Sequence, residues 1–480
     1  EVYLERFDAA FEQSGAPFPH AFFNDSFEVY GANWTADFFE EFEVRRGYDL
    51  RGRLPALLGD ADPDTNARVR QDYHETVADL LLENFAVPWT QWAHAHGTLT
   101  RSQAHGSPGN LLDLYAAADI PETEAFGPSA FPIRGLRTDP AHPGARGRPD
   151  PLLVKFASSA AHLAGHGTVS SETFTWLAEH FHAALSQMKP ELDQLFAAGV
   201  NRIVFHGTAY SPPDAAWPGW LFYASTHMQP TNPIWRDIPR MNDYISTAQQ
   251  ITAMPPDNDI LLYWPIHDTW YNGASSRRTL DTFTMHNADE WFDNSALGRT
   301  ARWLWHNGYT FDYVSDRLLQ NVAYEQGALH SGSNAWRVVL VPPCRFMPLA
   351  TMEKLIALAK QGAPVLFEDS LPEDVPGLGS LETRRERFRQ ATAKLDNAAQ
   401  CTGASSCYAT KQGAIKVINL EAHMNAAPVR REALADAGLV FVRTRQEDAI
   451  HYLVANLTGG DINQWIPLAP EHASVTFTGF

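Results

Sequence analysis

Over its first two-thirds the chain alternates short β-rich segments, each closing in a cluster of polar and acidic residues, with longer helical stretches. HAFFNDSFE (20–28) precedes the run ADFFEEFEVRRGYDL and a long helix expected over 66–96, where Val77, Leu80, Leu81 and Phe85 recur at helical spacing and predict one buried face. Further strand candidates are TLTRSQAHG (98–106), DIPETEAF (119–126), TVSSETFTW (168–176), NRIVFHGTAY (201–210), DILLYWPIHD (259–268) and YTFDYVSD (309–316). Between them run the helices LLDLYAAAD and LLVKFASSAAHLAG, the second stopped by Gly165 and Gly167. Repeated strand, loop, helix units of these lengths argue for parallel strands joined by right-handed crossovers. The fold class is α/β, and a (β/α)8 TIM-type barrel over residues 1–330, possibly incomplete at its N-terminal side, is the expected architecture. A doubly wound sheet competes with it, but no Gly-rich phosphate loop supports that.

From about residue 335 the texture changes. WRVVLVPPCRFMP, the helix LATMEKLIALAKQG and the strand APVLFEDS make one compact βαβ unit, so 331–445 is read as a small α/β domain. IHYLVANLTGG and HASVTFTGF alternate apolar with polar residues, as antiparallel strands do, and 446–480 is read as the start of a β-sandwich.

Charge narrows the partners. Lys+Arg 37 against Asp+Glu 56 leaves a net charge of −19, which repels phosphate backbones and anionic membrane surfaces. No apolar run reaches the roughly 18 to 20 residues of a membrane-spanning helix, and EVYLERFDAAF is an amphipathic helix without the character of a signal peptide. Three Cys make no disulfide framework, although a bridge between Cys401 and Cys407 would close the loop TGASS; Cys344 reads as core.

In a barrel of this kind the carboxyl ends of the strands carry the chemistry, and Asp25, Glu28, His105, Glu122, Glu124, Glu172, His206 and Asp268 fall there. Glu122 and Glu124 share one side of a strand. Glu172 taken alone reads as an acid opening the next helix. His105 and His206 end their strands where an imidazole can hydrogen-bond a ligand or polarise an adjacent acid, and Tyr210, Trp217 and Trp220 follow as candidates for a stacking wall. No HExxH, paired CxxC, EF-hand loop or GxSxG elbow occurs, which disfavours zinc and a serine nucleophile.

Five stretches resemble glycoside hydrolase family 106, the α-L-rhamnosidases: NDSFEVYGANWT (24–35), FEVRRGYDLRGRLPALLG (42–59), SQAHGSPGNLLDLYAAADIPETEAFG (102–127), SSETFTW (170–176) and GVNRIVFHGTAYSPPDAAWPGW (199–220). The resemblance implies a barrel that releases terminal α-L-rhamnose from polysaccharide side chains or glycosides by inversion, with calcium helping to hold the sugar. It also implies a longer parent chain, with barrel strands before residue 1 and β-sandwiches after 480, and a periplasmic or secreted bacterial setting. Two carboxyl groups are then required, one to protonate the leaving oxygen and one to activate water. The expected catalytic residues are Glu172 with Glu28, and either Glu122 or Glu124 could replace Glu28. Asp25 is the expected calcium or hydroxyl ligand, and Trp34, His105, Glu124, His206, Tyr210 and Trp217 complete the substrate contacts. Two other readings stay open: a hydrolase for another deoxy-sugar or a uronide, and a carbohydrate-binding barrel without catalysis.

Overall fold

The computed structural model describes residues 3–29, 31–136, 149–176, 181–273, 280, 282–286, 288–393, 395–397, 404–409, 413–469 and 476. Five strands form one parallel sheet in chain order: β1 (Ala21–Asn24), β2 (Leu99–Ser102), β3 (Ile120–Phe126), β4 (Ser170–Thr175) and β5 (Arg202–Phe205). Each lies inside a segment expected to be a strand. The sheet is a curled half-barrel in a mixed α/β architecture, consistent with a TIM-type barrel.

Local sequence explains where the connecting helices begin and end. The side chains of Asp62, Asn110 and Asp150 accept the amides of Thr65, Leu112 and Leu152 at 3.0, 3.0 and 2.8 Å, which caps the helices Pro63–Leu81, Leu111–Ala116 and Pro151–Ala164. Gly165 ends the last of these at φ 78°, a left-handed conformation that costs glycine nothing. The helix expected over 66–96 is three pieces, because a wide turn at Leu82–Ala86 separates Pro63–Leu81 from Val87–Ala95. Pro88 has no N–H to return to the carbonyl of Asn84, and the ladder widens there. The extra residue moves Phe85 off the buried face, and it is exposed.

Strands β6 (Ile260–Tyr263) and β7 (Phe311–Val314), expected in the barrel, belong to a second sheet. After a small antiparallel sheet of β8 (Ala323–Glu325), β9 (Ala328–Ser331) and β10 (Asn334–Trp336) come β11 (Val338–Val341), β12 (Val365–Glu368), β13 (Asp396–Asn397), β14 (Ser406–Ala409) and β15 (Ala414–Ile418). The second sheet runs β13-β14-β15-β12-β11-β6-β7, parallel from β15 to β7, and its order reverses between β6 and β11. This is the winding order of the doubly wound sheet set aside as the competing architecture, confined to the later part of the chain. ILLY of β6 and VVLV of β11 are apolar on both faces, and that texture suits a barrel strand and a covered open sheet equally. A two-stranded antiparallel hairpin, β16 (Leu439–Gln446) and β17 (Ala449–Asn456), follows, starting before the expected limit at 446. Most of HASVTFTGF lies outside the described residues.

Helix Pro151–Ala164 joins the two sheets. It is buried nearly all round, and Leu152, Phe156 and Ala160 share one core with Ala125 of β3, Leu262 of β6, Tyr313 of β7 and Leu340 of β11. Among the described residues no helix is long and apolar enough to cross a membrane. Cys344 is a free, buried thiol and Cys407 is disulfide-bonded, while Cys401 lies outside the described residues.

Glu191, fully buried, fastens the ends of two barrel strands by accepting from Trp176 Nε1 at 3.3 Å and from the Ser129 amide at 3.1 Å. Burial pushes its pKa up to about 8 from an ordinary 4.5. The folded state therefore holds this proton where the unfolded chain releases it, and the stability it contributes is present below 4.5 and lost as pH rises to about 8. Glu191→Gln is expected to lose less stability than the parent across that window in urea unfolding at stepped pH.

Candidate active site

Strand register brings the acids together. β3 and β4 pair with Glu124 beside Glu172 and Glu122 beside Ser170, so Glu122, Glu124 and Glu172 project to one side of the sheet. The chain continuing from β2 supplies Gln103 and His105, and the chain continuing from β5 supplies His206.

A lower layer is closed to solvent. Glu122 is 0% exposed and accepts from Ser170 Oγ at 2.6 Å and Gln103 Nε2 at 3.1 Å, with Arg101 Nε at 3.2 Å. Burial raises its pKa against those three contacts. The same Gln103 nitrogen donates to Glu172 Oε2 at 2.6 Å. One Gln103 nitrogen therefore bridges Glu122 and Glu172.

Glu172 and Glu124 lie above that layer. Glu172 keeps 15% of its side chain exposed, accepts from Thr175 Oγ1 at 3.2 Å, and has His206 Nε2 3.7 Å from Oε1. Burial raises its pKa; the Gln103 hydrogen bond and His206 oppose the rise, and the charges of Glu124 and Asp25 add to it. Glu124 has His105 Nε2 at 3.1 Å and His286 Nε2 at 3.9 Å. Burial would raise it too, but His105 by hydrogen bond and charge, with His286 and His206, holds it below the usual carboxylate value. The result is one carboxyl disposed to keep its proton beside one disposed to lose it. His105 Nδ1 is fixed by the Tyr115 hydroxyl at 3.0 Å, and His206 Nδ1 by the Ala224 carbonyl at 2.7 Å.

The other expected residues spread around this centre. Asp25 and Glu28 lie past the end of β1 and are exposed; Asp25 Oδ1 accepts the Ser26 amide, and the loop is tied down by Phe27 N–H donating to the His105 carbonyl at 3.0 Å. Asp25 is near enough for its charge to act on Glu172. Trp34 packs on Phe38 and Phe39 of helix Phe38–Arg46, with ring centroids 4.5 and 4.8 Å away. Tyr210, Trp217 and Trp220 are exposed with Phe222 and Tyr223, and the Phe222 ring stands edge-on to His206 at 5.4 Å. Asp268 is a correction: it lies in helix Ile266–Gly273 after β6 and accepts the amides of Arg345 and Phe346, both at 2.8 Å. Gln103, Thr175 and His286 were missed. Strand alternation from His105 would have found Gln103, whereas His286 arrives from a distant segment and leaves no local signal.

Calcium was expected at Asp25. Among the described residues no group of three or more His, Cys, Asp or Glu side chains is placed to share an ion. A calcium ion at Asp25 would therefore draw most of its ligands from carbonyl, hydroxyl or water oxygens.

Gln103→Met removes the bond that lowers the Glu172 pKa. The limb of the pH–rate profile that reports Glu172 is therefore expected to move to higher pH, as kcat/KM measured from pH 4 to 9 would show.

The profile of glycoside hydrolase family 106, described as alpha-L-rhamnosidase, matches residues 1–249. A protein of Formosa agariphila named "Putative beta-glucuronidase" is 27% identical over 367 residues, 75% of this chain and 27% of that protein. The solved rhamnosidase from Novosphingobium sp. PP1Y superposes with a TM-score of 0.68 at 22% identity, covering 94% of this chain and 41% of that one. A β-galactosidase from Bacillus circulans sp. alkalophilus superposes with a TM-score of 0.55 at 10% identity, covering 93% and 74%. These likenesses show the fold, and the chain spans well under half the length of the first two proteins. With the profile running through every strand of the half-barrel and all three site carboxylates, the chain belongs to glycoside hydrolase family 106.

Proposed function

We propose that this chain carries the site of an inverting glycoside hydrolase that releases terminal α-L-rhamnose from polysaccharide side chains or glycosides. The observation that carries the reading is the register pair Glu124 and Glu172, whose surroundings push their pKa values apart. Such a pair divides into acid and base. Glu172 gives its proton to the glycosidic oxygen as the bond to the anomeric carbon breaks. Glu124, ionised, takes a proton from the water that attacks the opposite face, and β-L-rhamnose forms first. Glu28, exposed on the neighbouring loop, is the alternative base, and buried Glu122 positions Glu172 through Gln103. Tyr210, Trp217 and Trp220 stack on the leaving-group side. Family membership supports rhamnose as the sugar, and the Cys407 disulfide supports an oxidising, periplasmic or secreted setting.

The uronide reading has the name of the Formosa relative in its favour. Against it, the described side chains that contact Glu124 and Glu172 are Gln103, His105, Thr175, His206 and His286, without the guanidinium a sugar carboxylate would pair with. Hydrolysis of 4-nitrophenyl α-L-rhamnoside, followed by proton NMR of the fresh product, tests the proposal. β-L-Rhamnose first supports it; α-L-rhamnose first overturns inversion. Cleavage of the β-D-glucuronide alone favours the uronide reading, and sugar binding without turnover favours a binding barrel. A chelator arm tests calcium.

A further inference from the structure

A cavity of about 270 Å3 opens at the carboxyl ends of β6 and β7, beside the point where the strand order of the second sheet reverses. Crevices at such reversal points are where open α/β sheets bind ligands. The cavity is separate from the carboxylate pair. Helix Leu111–Ala116 stands between them, with Tyr115 bonded to His105 on one side and Asp113 lining the cavity on the other.

Two of its walls hold buried ring nitrogens with nothing to bond. Trp270 Nε1 and His267 Nδ1 have no hydrogen-bond partner, although the residues are only 2% and 3% exposed. A buried polar group left so costs free energy that an acceptor on a ligand would restore.

The acids of the cavity differ in how far they are already satisfied. Asp316 accepts from Tyr263 at 2.8 Å and has His267 Nε2 at 3.4 Å, and Asp79 is paired with Arg46 and Arg317. Asp113 accepts from Ser315 at 2.5 Å through one oxygen, while its other oxygen is 3.9 Å from Arg317 and open to a further bond. Burial pushes Asp113 up to about 7, so near neutrality it both donates and accepts. Among the described residues no acid and imidazole group is placed to hold a metal ion, so an unpaired indole N–H and imidazole nitrogen beside an open carboxyl oxygen call for hydroxyl groups, which both donate and accept. The volume, just below the roughly 300 Å3 at which drug-sized sites begin, suits one ring.

We propose that this cavity is a second carbohydrate site that takes one neutral monosaccharide, whose hydroxyls donate to Asp113, accept from Trp270 and bond His267 Nδ1. The test is NMR on protein with 15N-labelled tryptophan, with the Trp270 indole signal assigned by its loss in Trp270→Phe. That signal is expected to shift saturably with L-rhamnose or D-galactose, and to stay still with D-glucuronate, whose charge the acidic wall repels. Asp113→Leu is expected to weaken the titration at least tenfold and to leave the rate of glycoside hydrolysis unchanged. An indole signal unmoved by both neutral sugars overturns the proposal, and so does equal affinity in Asp113→Leu or for D-glucuronate. The parent titration needs no variant and decides even where Asp113→Leu fails to fold. Because it reads binding at Trp270, its failure is distinct from failure of the hydrolase reading.

Discussion

Glu172→Gln is expected to lower kcat on a rhamnosyl disaccharide by about 10²- to 10⁴-fold, the usual contribution of a positioned acid or base, without changing the fold. Gln is isosteric; its amide oxygen can still accept from Gln103, and its amide nitrogen can donate to the Thr175 hydroxyl. On 4-nitrophenyl α-L-rhamnoside the loss should be far smaller, because 4-nitrophenolate departs without needing a proton. Glu124→Gln should lose about equally on both substrates, since water must be activated whatever the leaving group. Paired kcat/KM measurements decide. Equal losses for Glu172→Gln would exchange the two roles, and parental rates on both substrates would remove it from the site. Parental rates for Glu124→Gln with a large loss in Glu28→Gln would hand the base to Glu28.

Arg443→Met is expected to destabilise the protein by about 3–5 kcal/mol, the range for removing one partner of a buried ion pair. Arg443 is wholly buried; it donates to Glu432 Oε1 at 2.6 Å and to the Asp257 carbonyl at 2.9 and 3.1 Å, and it lies 3.4 Å from Asp259. Glu432 is equally buried and would keep only Tyr452 and the Ala469 amide. Asp257 and Asp259 still have Arg430. The uncompensated charge on Glu432 thus carries most of the cost, and Arg443→Met combined with Glu432→Leu should recover much of it. Equilibrium urea unfolding of the single and double variants measures this; a single variant within 1 kcal/mol of the parent would contradict it.

The half-barrel was legible because its short strands recur between helices with recognisable caps. Its membership was not. β6 and β7 continue the same alternation of strand, loop and helix as β3 and β4, and pairing partners, which sequence does not carry, assign them to a second sheet. At the site, alternation along DIPETE correctly put Glu122 and Glu124 on one face. What distinguishes Glu28, Glu122 and Glu124 is burial and hydrogen bonding, which the sequence does not carry: Glu122 is sealed under Gln103, and Glu28 stands exposed on a loop. Trp34, expected to contact the substrate, is exposed with its ring against Phe38 and Phe39. Asp268 closes the segment DILLYWPIHD, which was expected as a barrel strand, and serves two backbone amides.

The stretch around Phe283 and His286 bears on how this enzyme type can be recombined. Phe283 exchanges backbone hydrogen bonds with Gly106 and Ser107 at 2.8 and 2.9 Å, and His286 stands beside Glu124. Both residues lie beyond position 249, where the family match ends. A crossover placed at that limit would set one parent's Glu124 against another parent's histidine loop. Grafts intended to trade sugar preference between relatives should therefore place the breakpoint after the His286 loop, so that Glu124 travels with the imidazole that tunes it.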